Sequence, residues 1–275
     1  MDRKHANKLG TRTWMQSGIA LAAALLLGAC ASSGVNEGDI NVIGLDEEWE
    51  LGRQLEADLA KELDLVNDRE ILAYINRAGQ QVVAQTEMAS LPWEFHVVRD
   101  DAINAFNIPG GHVYINTGLI TAAQSASELM GVVSHEIAHG VSRHATERLT
   151  RVHGLNFLAS VLLGSDPQTY QTILAQILGT GAIASFSRDA EEEADELGVR
   201  YMYAAGYDPL GMPRMFEHLL AERQRRPDGV SRFFSTHPLT EDRIRATRAQ
   251  AEALPPKPGL IEDETEFQRV KDRVR

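Results

Sequence analysis

Apolar residues recur every three or four positions along much of the chain, which predicts a mainly helical fold. Over 45–65, charged positions alternate with the stripe Trp49, Leu51, Leu55, Leu59 and Leu63, giving a first helix. Asn67 or Asp68 can cap a second, whose stripe is Ile71, Ile75, Ala78 and Val82. After Pro92 the period changes to two. Trp93, Phe95 and Val97 alternate with Glu94, His96 and Val98, which predicts a strand. Two more strands are expected over Asn104–Ile108 and His112–Asn116, around a turn at Pro109-Gly110-Gly111. These glycines are not a phosphate loop, because no Lys-Ser/Thr follows and no long helix starts there.

Ser125 and Glu128 form a capping box that opens a long helix running to about Leu149. The apolar stretches Leu155–Leu163 and Ile173–Phe186, separated by Gly164-Ser165-Asp166-Pro167, predict a helical hairpin packed on the core. Helices follow over 189–205 (ending at Gly206), 211–224 and 242–253. Residues 255–259 form a hinge, and Phe267, Val270 and Val274 share a face of a last helix. The expected fold is α+β, mainly helical, with a small β-sheet.

The first thirty residues read as an address. Arg3, Lys4, Lys8 and Arg12 precede a short apolar run, Ile19–Leu27, and then small residues, the pattern of a secretory signal peptide. The single cysteine closes Leu26-Leu27-Gly28-Ala29-Cys30, which resembles a lipobox. On that reading residues 1–29 are removed, Cys30 is acylated, and acyl chains anchor the protein without a spanning helix. Ala31 and Ser32, not Asp, follow Cys30, which in a Gram-negative host implies an outer-membrane lipoprotein facing the periplasm. Residues 30–44 are read as a flexible tether, small and polar through Asp39.

Charge narrows the function. Lys+Arg is 27 against Asp+Glu 39, a net −12. That balance excludes a nucleic-acid partner, whose phosphates need cations. It also excludes a chain held to anionic lipid by basic patches. One cysteine excludes an internal disulfide framework and a thiolate zinc cluster.

The chemistry lies in His135-Glu136-Ile137-Ala138-His139. Histidines four apart on a helix share a face and can hold one ion, and zinc suits imidazole. Glu136 lies beside that face and can act as general base on a bound water. A third ligand is needed. His144 is five residues past His139, where one continuous helix carries it off the face. A carboxylate on a second helix is the alternative: Glu191 and Asp195 share a face, so Glu191 can ligate while Asp195 orients an imidazole. Glu192 is a weaker candidate by spacing.

An ordered set of motifs accompanies the pentapeptide: Glu48–Gly52, Asn104-Ala105-Phe106 with Pro109-Gly110-Gly111, Val113–Leu119, and His135–His139 with His144. Ser187-Arg188 with Glu191–Asp195 follows, then Ser235–Pro238 with Arg243-Ile244. The set resembles the HtpX-like, Oma-type and Ste-type CAAX-protease family of zinc metallopeptidases, metallopeptidase family forty-eight, over roughly residues 40–250. The resemblance implies a gluzincin-like metallopeptidase domain over 45–254, with 255–275 as hinge and last helix. It implies one Zn2+ held by His135, His139 and Glu191, with Glu136 as base and Asp195 and His144 behind the ligands. His237, helped by Arg243, is expected to donate to the oxyanion, or His237 to occupy the open metal position at rest. His112, Val113, Tyr114, Ile115 and Asn116 are read as an edge strand that pairs with an extended substrate. The expected activity is zinc endopeptidase action on unfolded or misassembled envelope proteins; whether 155–186, which joins the two ligand-bearing helices, is a lid is left open by the sequence. The rival readings are a non-catalytic zinc-containing chaperone or scaffold for envelope assembly, and an amidase acting on cell-wall peptides.

Overall fold

A computed structural model describes residues 43–153, 166–180, 183 and 185–274. The signal peptide, Cys30, the tether up to residue 42 and the first arm of the expected hairpin lie outside these residues. No helix among the described residues is long and apolar enough to cross a membrane.

Helix α1 (Leu45–Glu62) buries Leu51, Leu55 and Leu59, the i, i+4 stripe of its sequence. Helix α2 (Arg69–Val83) starts at Asp68, not Asn67: its Oδ1 accepts from the backbone N–H of Glu70 at 2.9 Å and of Ile71 at 3.2 Å. Three strands follow: β1 (Glu94–Val98), β2 (Ala105–Ile108) and β3 (His112–Asn116). Gly110 and Gly111, at φ +83° and +75°, turn β2 antiparallel onto β3. β3 then pairs parallel with β1, so the sheet order is β1-β3-β2.

This order corrects the edge-strand reading. β3 is the central strand, and its polar ends have partners inside the molecule. The Asn116 backbone N–H donates to Asn104 O at 3.0 Å and Asn116 Nδ2 to Ala102 O at 3.2 Å, while His112 faces His96. The outer side of β1 is covered by residues 64–66, through Val66 N–H to Val97 O and Arg99 N–H to Asp64 O, each 2.8 Å. β2 is the strand whose outer side pairs with no strand among the described residues.

Period-2 alternation divides the sheet. Phe95, Val97, Ala105, Val113 and Ile115 join the main core with α2; Phe106, Ile108 and Tyr114 join the leucines of α1. Beyond the sheet lie α3 (Thr117–Ala122), α4 (Ala126–Val141) and α5 (His144–His153). Ser125 Oγ caps α4 by accepting from the Glu128 N–H, while Glu128 Oε2 accepts from the Gln124 N–H at 2.8 Å.

The expected single helix to Leu149 is broken at Ser142-Arg143. Arg143 takes φ +58°, which is costly for a side-chain-bearing residue. Its Nε donates to Glu48 Oε2 at 2.6 Å, and a guanidinium N–H also bonds Ile43 O. Helix α6 (Pro167–Thr180) places Ile173 and Ile177 against the α1 leucine cluster. Then come α7 (Arg188–Ala204), α8 (Gly211–Arg225), α9 (Ser231–Thr236), α10 (Glu241–Ala253) and α11 (Thr265–Val274). The last helix returns to the core through Phe267 and Val270, and Lys271 Nζ donates to Ala123 O at 2.6 Å.

Helix α4 is the axis of the molecule and is buried along nearly its whole length. Helix α7 crosses it where α7 carries Gly198. A Cβ there would lie 3.1 Å from the His135 backbone N, so a glycine lets the two backbones approach. That approach sets the acidic first turns of α7 against the histidines of α4.

Candidate metal centre

His135 and His139 lie one turn apart on α4, both fully buried. Their Nε2 atoms are 3.0 Å apart. Glu191, from the first turn of α7, brings Oε2 to 3.6 Å from His135 Nε2 and Oε1 to 3.4 Å from His139 Nε2. His237, at the end of α9, adds Nδ1 at 2.9 Å from Glu191 Oε1 and 3.3 Å from His135 Nε2. One ligand atom from each of these four residues falls within 4.8 Å of all the others. Glu192 is exposed, so the register of α7 turns it away from the cluster.

The far side of each imidazole is tied down. His135 Nδ1 stands 2.9 Å from Asp195 Oδ1. His139 Nδ1 stands 2.8 Å from His144 Nδ1, and His144 Nε2 stands 3.2 Å from Glu193 Oε2. Carboxylates accept only, so the Asp195 charge 2.9 Å away favours the proton on His135 Nδ1, and Glu193 takes the N–H of His144, whose Nδ1 then accepts from His139. Both Nε2 lone pairs are thereby aimed at one point. The helix break makes this possible, since it swings His144 back onto His139.

The cluster fits a tetrahedral ion. Metal bonds of about 2.0–2.1 Å put tetrahedral corners about 3.3–3.4 Å apart. The separations given above run from 2.9 to 3.6 Å. Glu136 Oε1 and His237 Nε2 are buried without a hydrogen bond of good geometry, 3.3 Å from one another. Buried orphans of this kind need an explanation, and an ion with its bound water gives one.

The electrostatics agree. Burial disfavours charge on His135, but the hydrogen bonds to Asp195 and Glu191 outweigh it and lift its pKa to about 9. Without an ion, a proton on His135 therefore sits where the cation would. Burial and the neighbouring His135 charge push His139 well below its ordinary value. Burial opposes the Glu191 charge, but His237, His135 and His139 hold its carboxyl well below the usual range. Burial raises Glu136.

Arg243 was expected beside His237 at the oxyanion; the structure gives its guanidinium a different task. Nε and Nη2 donate to the two oxygens of Asp195 at 2.7 and 2.8 Å, Nη1 stands 2.5 Å from Glu191 Oε2, and Nη1 also donates to Pro238 O. A guanidinium only 4 % exposed must be paired, and the first turn of α10 sets it against the two acids of α7. Arg243 thus holds in place both Glu191 of the cluster and Asp195 behind it.

Three further residues surround the centre. Phe186 stacks on His139, with ring centroids 4.1 Å apart and planes at 19°. Asn107 Nδ2 on β2 donates to the Glu136 main-chain O, tying the edge strand β2 to α4. Phe216 packs edge-on against His135. A cavity of about 330 Å3 lined by Phe186, Glu191, Pro238 and Arg243 lies next to the closed cluster.

The sequence profile of peptidase family M48 matches residues 72–251, well over half of the chain and all four clustered donors. The chain belongs to that family. It is 28 % identical over 274 residues to a beta-barrel assembly-enhancing protease of Escherichia coli strain K12, covering 92 % of this chain and 55 % of the relative. It is 33 % identical over 175 residues to the mitochondrial metalloendopeptidase OMA1 of Schizosaccharomyces pombe, covering 62 % of this chain and 50 % of the relative. The corresponding Arabidopsis thaliana protein is 28 % identical over 247 residues, covering 88 % and 47 %. The chain thus spans about half the length of the curated relatives it matches. As an M48 member it has the mostly helical fold with a three-stranded sheet expected from its sequence.

Proposed function

We propose that the chain is a zinc-dependent endopeptidase that cleaves unfolded or misassembled cell-envelope proteins. The carrying observation is the convergence of His135, His139, Glu191 and His237 around one point, with the Glu136 carboxylate beside it. The relatives' names, a beta-barrel assembly-enhancing protease and metalloendopeptidases, support the reading. His135, His139 and Glu191 would hold a zinc ion, which would supply Lewis acidity and a water of lowered pKa.

The chain's own residues supply the rest. Glu136, its proton affinity raised by burial, takes a proton from the attacking water and delivers it to the leaving amine. Asp195, braced by Arg243, holds His135 in the ligating tautomer; His144 does the same for His139. His237 Nδ1 sits among the clustered donors, which supports reading His237 as closing the site at rest. His237 must swing aside for water and substrate, and can then donate to the oxyanion. The substrate strand pairs along β2, whose outer side is unpaired and which Asn107 fastens to the active helix. Backbone pairing is largely blind to sequence, which suits a protease of unfolded chains. Acylation at Cys30 would hold the domain at the inner face of the outer membrane.

The test is Glu136→Gln. Zinc retained with cleavage of casein abolished is the expected result. Full biological activity in that variant would favour the scaffold instead.

A further inference from the structure

The sheet face turned toward α1 carries a second gathering of donors that the peptidase reading does not use. Glu94 and His96 are two apart on β1, so both leave the same face. The parallel register sets His112 of β3 opposite Glu94. His96 Nε2 lies 3.5 Å from His112 Nδ1. Glu94 Oε2 lies 3.9 Å from the first nitrogen and 3.8 Å from the second. The histidine side chains are 14 % and 5 % exposed, whereas Glu94 is 57 % exposed and free to adjust.

The rings are held in place by stacking. His96 stacks on Tyr114 with centroids 4.6 Å apart and on His112 at 5.7 Å, and Tyr114 stacks on Phe106 at 4.8 Å. Stacking alone does not call for two histidines here, since phenyl rings would stack without burying ring nitrogens. What histidine adds is a pair of nitrogens directed at each other and at a carboxylate. Burial lowers the pKa of both to about 4, with His112 adding to the effect on His96, so both are neutral, the ligating form.

Charge points the same way. Glu56 of α1 is close enough to Glu94 that repulsion between them, added to burial, raises the Glu56 pKa. No Lys or Arg among the described residues forms an ion pair with Glu56 or Glu94. The Glu94 carboxylate and two neutral imidazoles thus gather within 4.8 Å of one another, with the Glu56 charge near enough to be felt by Glu94.

We propose that Glu94, His96 and His112 bind a second divalent cation of the zinc class, with Glu56 or water completing the coordination. Two imidazoles and a carboxylate are a donor set that suits zinc. The three separations need to close by only a few tenths of an ångström toward the about 3.4 Å of a tetrahedral edge, and rotation of exposed Glu94 provides that. Such an ion fastens β1 to β3 on the side of the sheet opposite the peptidase centre, and its binding does not depend on the peptidase reading.

The test is zinc stoichiometry on the full chain, stripped with chelator and dialysed against buffered Zn2+. The wild type is expected to take two equivalents, His96→Gln one, His135→Gln one, and the double variant none. Glu94→Gln, at an exposed position that folding tolerates, should weaken the second equivalent by about tenfold or more and leave the first unchanged. Cobalt substitution should show two sets of visible bands, one of them absent in His96→Gln. A wild type that saturates at one equivalent overturns the proposal. So does a folded His96→Gln that still takes two, or a Glu94→Gln with unaltered second-ion affinity.

Discussion

Asp195 offers the sharpest perturbation of the metal centre that leaves the ligands themselves intact. Asp195→Asn keeps the volume but removes the charge that accepts from His135 and from two nitrogens of Arg243. An amide offers one acceptor oxygen, so an N–H must face either His135 or Arg243. Loss of such an outer partner weakens metal binding by about 10–100-fold, or about 1.4–2.7 kcal/mol. Protons complicate the comparison. In the metal-free protein His135 has a pKa of about 9, held up by Asp195 and Glu191 against burial. At pH 7.5 the wild-type site must displace that proton, a handicap of about thirtyfold. The variant, lacking Asp195, carries less of it. The deficit is therefore predicted to be full at pH 9 and to shrink toward pH 7. Zinc competition against a chromophoric chelator across that range measures it. Equal affinity of wild type and variant at pH 9 would refute the reasoning.

Glu48→Gln should cost about 3 kcal/mol, because it leaves the nearly buried Arg143 guanidinium without an anionic partner, and a chain this size should melt about 6–12 °C lower. A melting temperature within error of wild type would remove the pair from the account. His237→Ala should lower the rate of casein cleavage by about 10²–10³-fold, because the oxyanion loses its donor, and an unchanged or raised rate would take the oxyanion role away from His237. In the metal-free protein, His96 and His112 are held near pKa 4 against an ordinary 6.5. Their folded values are depressed, so the stability they contribute is complete above pH 6.5 and is lost as pH falls toward 4. Thermal melts in chelator should show that loss, and it should flatten in a His96→Gln, His112→Gln double variant.

The sequence exposes this site unevenly, for physical reasons. The pair His135 and His139, and the pair Glu191 and Asp195, were legible because helical geometry alone puts residues four apart on one face. Their meeting is tertiary, and only the ordered motifs implied it. The break after Val141 was hidden, since neither Ser142 nor Arg143 is a helix breaker. Arg143 reaches φ +58° through a pair with Glu48, 95 residues away. His144 thus looked misplaced as a third ligand on one helix, and the break puts it 2.8 Å from His139 Nδ1, behind that ligand. The central position of β3 was equally hidden, because parallel pairing with β1 is not encoded in the alternation of either strand. Polar His112 and Asn116 suggested solvent, but their partners come from other segments. Which anions Arg243 would meet could not be read from its own helix. Phe186 gave no signal, since stacking on an imidazole requires only that two distant segments meet.

The most direct test of the central claim is anomalous diffraction at the zinc edge from crystals of the full chain. The account predicts a peak about 2.0–2.1 Å from Nε2 of His135, Nε2 of His139 and an oxygen of Glu191. Density without an anomalous peak among those three side chains, in protein that cleaves casein, would contradict it.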